Sequence, residues 1–138
     1  MTAYRYLLDT NILSDLIKNP TGLVAQKIAS SDIEQVCCTS LIVACELRYG
    51  TCKKGSSVLT SRVEQLLYTL PVLALEENVD QEYGEIRTAL ERIGQPIGGN
   101  DLLIAAHARA LRLTVVTANV REFLRVPGLA VENWLEER

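Results

Sequence analysis

The sequence predicts an α/β fold, a three-layer α/β/α sandwich with a mainly parallel central sheet, built by residues 1–138 as a single unit. Three features carry this expectation. Short apolar or β-branched runs alternate with longer stretches of helical periodicity, in the order strand-helix-helix, strand-helix-helix, strand-helix, helix, strand; that alternation is how a parallel sheet acquires its crossovers. The runs end on acidic or small polar residues, as strands do where they open on a ligand crevice. Hydrophobic residues make up 48% of the 138, enough to fill one sizeable core.

The first strand candidate is Tyr6-Leu7-Leu8, which breaks at Asp9-Thr10-Asn11 before helical periodicity resumes at Ile12, Leu13, Leu16 and Ile17. A carboxylate would be costly inside a buried strand. At the strand's C-terminal end Asp9 can serve a site or cap the next helix, and the segment alone leaves both open. That helix, Ile12 to Lys18, stops at Asn19-Pro20, and Thr21 or Gly22 opens a second one through Val24, Ile28 and Ala29 to the polar break Ser30-Ser31-Asp32. Gln35 to Thr39 reads as a second strand. Ser40 then caps an apolar helix carrying Leu41, Ile42, Ala44, Cys45, Leu47 and Tyr49, with Glu46 as its one internal acid. Arg48, two residues on, does not share the face of Glu46, and Lys53 lies seven away, so the acid has no ready partner on its own helix.

The stretch from Ser56 to Leu70, apolar at Val58, Leu59, Val63, Leu66 and Leu67, suits the return arm of a helical hairpin, and Pro71 ends it before Val72-Leu73-Ala74-Leu75. Asn78 or Asp80 starts a helix that Gly94 closes in a left-handed position. After Pro96-Ile97-Gly98-Gly99, Asn100 is the expected cap of a helix from Leu102 to Leu111, leaving Asp101 in its first turn. The helix dipole favours an acid there by about 0.3–1 kcal/mol, while the preceding glycines let other groups approach closely. Leu113-Thr114-Val115-Val116 is the clearest strand and ends on Thr117-Ala118-Asn119, with Glu122 and Phe123 just beyond. Val126-Pro127-Gly128-Leu129 makes a turn, Ala130-Val131 a last edge strand, and the tail is polar after Trp134.

A net charge of −3 and a pI near 5.2 argue against nucleic-acid binding by a general basic surface. Local basic groups remain at Arg48, Lys53, Lys54 and Arg62, and at Arg109, Arg112, Arg121 and Arg125. With no apolar run of membrane-spanning length and no leader pattern, the expected setting is the cytoplasm, away from membranes. Cys37, Cys38, Cys45 and Cys52 lack the paired spacing of a zinc site and read as small apolar residues. Apolar positions such as Val43, Leu47, Leu59 and Val63 exceed what a small core needs, so a homodimer and a groove for a partner helix are expected.

Asp9, Glu46, Asp101 and Asn119 each stand at a strand end or near a helix start, so the fold can bring them to one edge. Three carboxylates at close quarters repel, and a hard divalent cation resolves the repulsion. Mg2+ keeps several waters, so Asp9 and Asp101 are expected as direct ligands and the others as holders of water. Thr10, Asn11, Ser40 and Thr117 are expected to steady them by hydrogen bonds. Glu122, three residues past Asn119, shares its face if that stretch turns helically; it either supplies a further carboxylate or pairs with Arg121 or Arg125. A metal-free acid–base site commonly uses two histidines, and this chain has only His107, well off the helical face of Asp101. A packed or surface histidine is the better reading.

The set Leu7-Leu8-Asp9-Thr10-Asn11, Glu46-Leu47-Arg48-Tyr49-Gly50, Asn100-Asp101-Leu102-Leu103-Ile104-Ala105-Ala106-His107-Ala108 and Val116-Thr117-Ala118-Asn119-Val120-Arg121-Glu122-Phe123 resembles a PIN domain, and more narrowly the VapC-type toxins of bacterial type II toxin–antitoxin pairs. The resemblance runs to the closing Val126-Pro127-Gly128-Leu129 and Glu132-Asn133-Trp134. It implies a PIN-like nuclease domain: a dimeric endoribonuclease dependent on Mg2+, with Mn2+ as a substitute. It also implies neutralisation by a VapB-type antitoxin, through which alone the protein would reach operator DNA. Transfer RNA is the commonest expected substrate, though no residue selects it. Asp9, Glu46 and Asp101 fall on the family's acidic positions, and Asn119 stands where many members have aspartate.

Two other classes that gather acids at strand ends fit less well. A phosphotransferase of the haloacid dehalogenase kind needs a second Asp two residues after the first, where this chain has Asn11; a signalling receiver needs a lysine late in the sheet, and no lysine follows Lys54. The remaining alternative is a catalytically inactive PIN-like module that binds RNA or protein.

Overall fold

Leu7 and Leu8 have no exposed surface and Tyr6 almost none, because β1 (Tyr6–Leu8) runs through the middle of a five-stranded sheet. A central parallel strand is covered on both faces and so reads as an unbroken apolar run. The computed structural model describes residues 3–30, 32–76 and 78–136. Ser31 of the expected break and the end of the polar tail lie outside the described residues.

From β1 the chain passes through α1 (Thr10–Lys18) and α2 (Leu23–Ala29) to β2 (Cys37–Ser40). It continues through α3 (Leu41–Lys54) and α4 (Ser57–Thr69) to β3 (Val72–Leu73), then through α5 (Val79–Arg92) and α6 (Gly99–Leu111) to β4 (Thr114–Val116), and by the short α7 (Val120–Phe123) to β5 (Val131–Glu132). The strand order is β3-β2-β1-β4-β5, and every pairing is parallel. The expected alternation is therefore present, and the sheet is parallel throughout. In register, Leu7 stands beside Cys38 on one side and Val115 on the other. α5 packs along α6, while α1 packs against α2 and α3, and α3 against α4. α1 to α4 lie on the crossovers that run from β1 out to β3, and α5 and α6 lie on the return from β3 to β4.

β2 begins later than the apolar run suggests, because Glu34–Val36 form a 3-10 turn. At the start of α6 the cap is Gly98, in extended backbone, rather than Asn100. Asn100 thus lies inside the helix with its side chain free for another partner. Gly94 has φ +67°, the left-handed conformation expected where α5 ends.

Val43, Leu47 and Val63, expected as surplus for a partner, are buried in the core of this chain. The outward apolar side chains of α3 and α4 are instead Leu41, Tyr49, Val58 and Tyr68. Cys37 and Cys38 pack in the core as read, whereas Cys45 and Cys52 are exposed on α3. No helix among the described residues is long and apolar enough to cross a membrane.

Candidate active site

β1 leads away to β2, whereas β4, on its other side, leads to β5. The sheet's topological switch point therefore lies between the C-terminal ends of β1 and β4, where open parallel sheets bind ligands. Asp9 follows β1 there and Thr117 follows β4, and Thr117 Oγ1 donates to Asp9 Oδ2 over 2.7 Å. Asp9 is only 3% exposed. Its Oδ1 accepts the Thr10 backbone N–H at 2.8 Å, so it both caps α1 and faces the crevice. Burial is the main cause that raises its pKa, and these hydrogen bonds oppose the shift.

Asn11 ties the two strand ends together. Its Oδ1 accepts from the Ala118 backbone N–H at 2.9 Å, and its Nδ2 lies 3.4 Å from both Asp9 Oδ2 and Thr117 Oγ1. Thr117 Oγ1 also accepts the Asn119 N–H at 2.9 Å, which turns the chain into α7. Glu46 enters from the second turn of α3. Thr10 Oγ1 donates to its Oε1 at 2.5 Å, and Asn100 Nδ2 approaches its Oε2 at 3.4 Å. This is the partner that its own helix could not provide. The contribution of Asn100 was missed because an asparagine before a helix reads as a cap, and nothing local signals a partner 54 residues away.

Asp101, in the first turn of α6, faces Asn119 and Glu122. Asn119 Nδ2 donates to Asp101 Oδ2 at 3.0 Å and to Glu122 Oε2 at 3.1 Å. Burial, a hydrogen bond shared with Glu122, and the charges of Asp9, Glu122 and Glu46 push the Asp101 carboxyl up to about 7. The same hydrogen bond holds Glu122 below its ordinary value. Each carboxyl thus alters the ionisation of the other, raising Asp101 and lowering Glu122. Glu122 belongs with the acids and makes no ion pair with Arg121 or Arg125 within 4 Å among the described residues.

Ser40 does not join this network. Its Oγ accepts from the Ile42 N–H at 3.2 Å, capping α3, and lies 2.8 Å from His107 Nδ1. His107 is buried, and its pKa is lowered by that burial. It is a packed histidine, as expected, and not part of the crevice.

The four acids at this edge, whose mutual charges raise Asp101, are oxygen donors of the kind a hard cation takes. The sequence comparison then decides the family, because a sequence profile of the PIN domain matches residues 6–129. The chain belongs to the PIN-domain family. It is 39% identical over 131 residues to ribonuclease VapC2 of Rickettsia felis, covering 94% of this chain and 97% of that protein. It is 36% identical over 131 residues to the tRNA(fMet)-specific endonuclease VapC of Shigella flexneri, covering 94% and 98%. Among solved structures, VapBC2 from Rickettsia felis, bound to a DNA fragment from their promoter, matches with a TM-score of 0.83 at 37% identity, covering 94% of this chain and 98% of that one.

The PIN-domain family implies a divalent metal, and the donor set here fits one in kind: hard carboxylate oxygens with an amide beside them. The fit is not a preformed cage. Among the described residues no three acidic, histidine or cysteine side chains stand close enough together to enclose an ion. In this PIN domain the NH2 of Asn119 stands between two of the acids, donating to Asp101 and Glu122.

Proposed function

We propose that this PIN domain is the toxin of a type II toxin–antitoxin pair. In this reading it is a Mg2+-dependent endoribonuclease, with Mn2+ as a substitute, that acts as a homodimer and is neutralised by a VapB-type antitoxin. It reaches operator DNA only through that antitoxin, and transfer RNA is the substrate. The observation that carries the activity is the gathering of Asp9, Glu46, Asp101 and Glu122 around the switch point of the sheet. Ribonuclease VapC2, the tRNA(fMet)-specific endonuclease VapC and the VapBC2 complex on promoter DNA support the substrate and the partners by likeness.

Asp9 and Asp101 would hold the metal directly, with Glu46, Glu122 and Asn119 holding its waters. When bound, the ion would supply charge neutralisation at the phosphoryl group and acidify water for attack on phosphorus. Thr10 keeps Glu46 turned toward the crevice, Thr117 and Asn11 fix Asp9, and Asn119 spaces Asp101 from Glu122. The purified chain should cut RNA in Mg2+ or Mn2+ and stop on chelation; cleavage that persists in EDTA overturns the reading. Sequencing new 5′ ends in RNA after brief induction identifies the substrate, and ends confined to messenger or ribosomal RNA would remove transfer RNA from it.

A further inference from the structure

α1 and α3 each start at the C-terminal end of a strand, those strands are parallel neighbours, and the helices touch where Thr10 meets Glu46. Lys18 lies eight residues beyond Thr10 in α1, and Lys54 lies eight beyond Glu46 in α3. At 1.5 Å per residue, the backbone positions of both lysines therefore stand about 12 Å along the helices from Thr10 and Glu46. A groove of about 300 Å³ joins the two places, with Thr10 and Glu46 at one end, Lys18 and Lys54 at the other, and Ile17, Leu47 and Leu59 between. Arg48, Arg87 and Arg109 are engaged by carboxylates, but neither lysine has one within 4 Å among the described residues. Both are exposed in the last turns of their helices.

We propose that this groove carries single-stranded RNA away from the carboxylate edge, with Lys18 and Lys54 together gripping a backbone phosphate about two nucleotides from the scissile bond. The charge order favours a nucleic-acid strand. A chain of net charge −3 whose reacting edge is acidic repels RNA there, and a pair of free cations one groove-length away supplies local attraction. The apolar wall offers surface for a base or ribose to lie against. Gly50 lines the groove, and a Cβ at that position would meet nothing within 4 Å, so the floor is open at the midpoint.

The inference rests on the ribonuclease reading, so its test has one arm for binding and one for cleavage. Binding of a labelled oligoribonucleotide is followed by anisotropy in EDTA, and cleavage of the same molecule is followed in Mg2+. Lys18→Gln/Lys54→Gln should weaken binding and raise KM about tenfold with kcat little changed. It should also reduce the salt slope of binding by about 0.7, the share of one phosphate on a single strand. Lys18→Arg/Lys54→Arg should restore both. Trimming the RNA to one nucleotide on one side of the cleaved bond, but not on the other, should erase the effect of the lysines. If the chain cleaves RNA and the glutamine pair leaves KM and salt slope unchanged, the groove proposal is wrong while the nuclease stands. If that pair loses only its hold on an antitoxin, the groove belongs to a peptide and the proposal is equally wrong. If RNA binds through the lysines and is never cut, the nuclease reading falls and the groove survives.

Discussion

Asn119 donates its side-chain amide to the Asp101 carboxylate over 3.0 Å, linking the loop after β4 to the first turn of α6. The same nitrogen lies 3.1 Å from Glu122, so one neutral group stands between two acids that alter each other's ionisation. Asn119→Asp would replace that spacer with a third carboxylate. It should keep activity and lower the Mg2+ concentration for half-maximal cleavage by a few-fold, whereas Glu122→Gln should raise it modestly. If Asn119→Asp is dead at every metal concentration, the amide itself orients the phosphate and its role as a weak fourth ligand is disproved.

Asp9→Asn and Asp101→Asn should each abolish cleavage and leave the fold intact by circular dichroism. Asp101→Asn should also be the more stable protein at pH 8 without metal. The folded pKa of Asp101 is raised from 3.8 to about 7, so its contribution favours folding below pH 4 and is lost as pH rises through 7. The gap between variant and wild type should therefore open across that window. It should reach about 1–2 kcal/mol once solvent screening of a half-buried group is allowed for. Added Mg2+ should narrow the gap by stabilising the wild type. A gap independent of pH would show that the carboxylate is not under repulsion.

Thr10→Val removes the hydroxyl that holds Glu46 at 2.5 Å while keeping the β-branched shape. Cleavage should slow about tenfold, equivalent to about 1.4 kcal/mol, the scale of one lost hydrogen bond to a charged group. An unchanged kcat would mean that Glu46 needs no such restraint.

His107→Leu should cleave RNA within about threefold of wild type and be destabilised by about 1 kcal/mol through the lost contact with Ser40. Burial lowers the His107 pKa, so the neutral ring's contribution is present above the ordinary value of 6.5 and lost as pH falls through the folded value. Acid unfolding of the variant should be correspondingly shallower below pH 6. Loss of cleavage in a folded variant would return the histidine to the mechanism.

Asp9, Glu46 and Asp101 were legible in the sequence because each violates its surroundings: a carboxylate ending an apolar run, a lone acid on an apolar helix, an acid behind two glycines. Residues whose roles are set by distant partners were harder to read. Asn100 looked like a cap, but Gly98 already fills that position in extended backbone, leaving the amide to reach Glu46. Ser40 looked like a neighbour of the acids because it ends a strand, yet its hydroxyl is taken by α3 and His107. A count of apolar residues on α3 and α4 does not distinguish Val43 and Val63, which complete the core, from Tyr49 and Tyr68, which point outward. Register and packing decide such cases, and both are properties of the folded chain.

The bonds that join Asp9 and Asn11 to Thr117 and Ala118 span more than 100 residues of sequence. During synthesis the first acid leaves the ribosome long before the hydroxyl that fixes it, and before Asn119 and Glu122 exist at all. A nascent or truncated chain ending short of β4 therefore carries Asp9 and Glu46 but no assembled centre. Translation order thus acts as a built-in delay: the centre can assemble only once β4 and the residues just after it have been made.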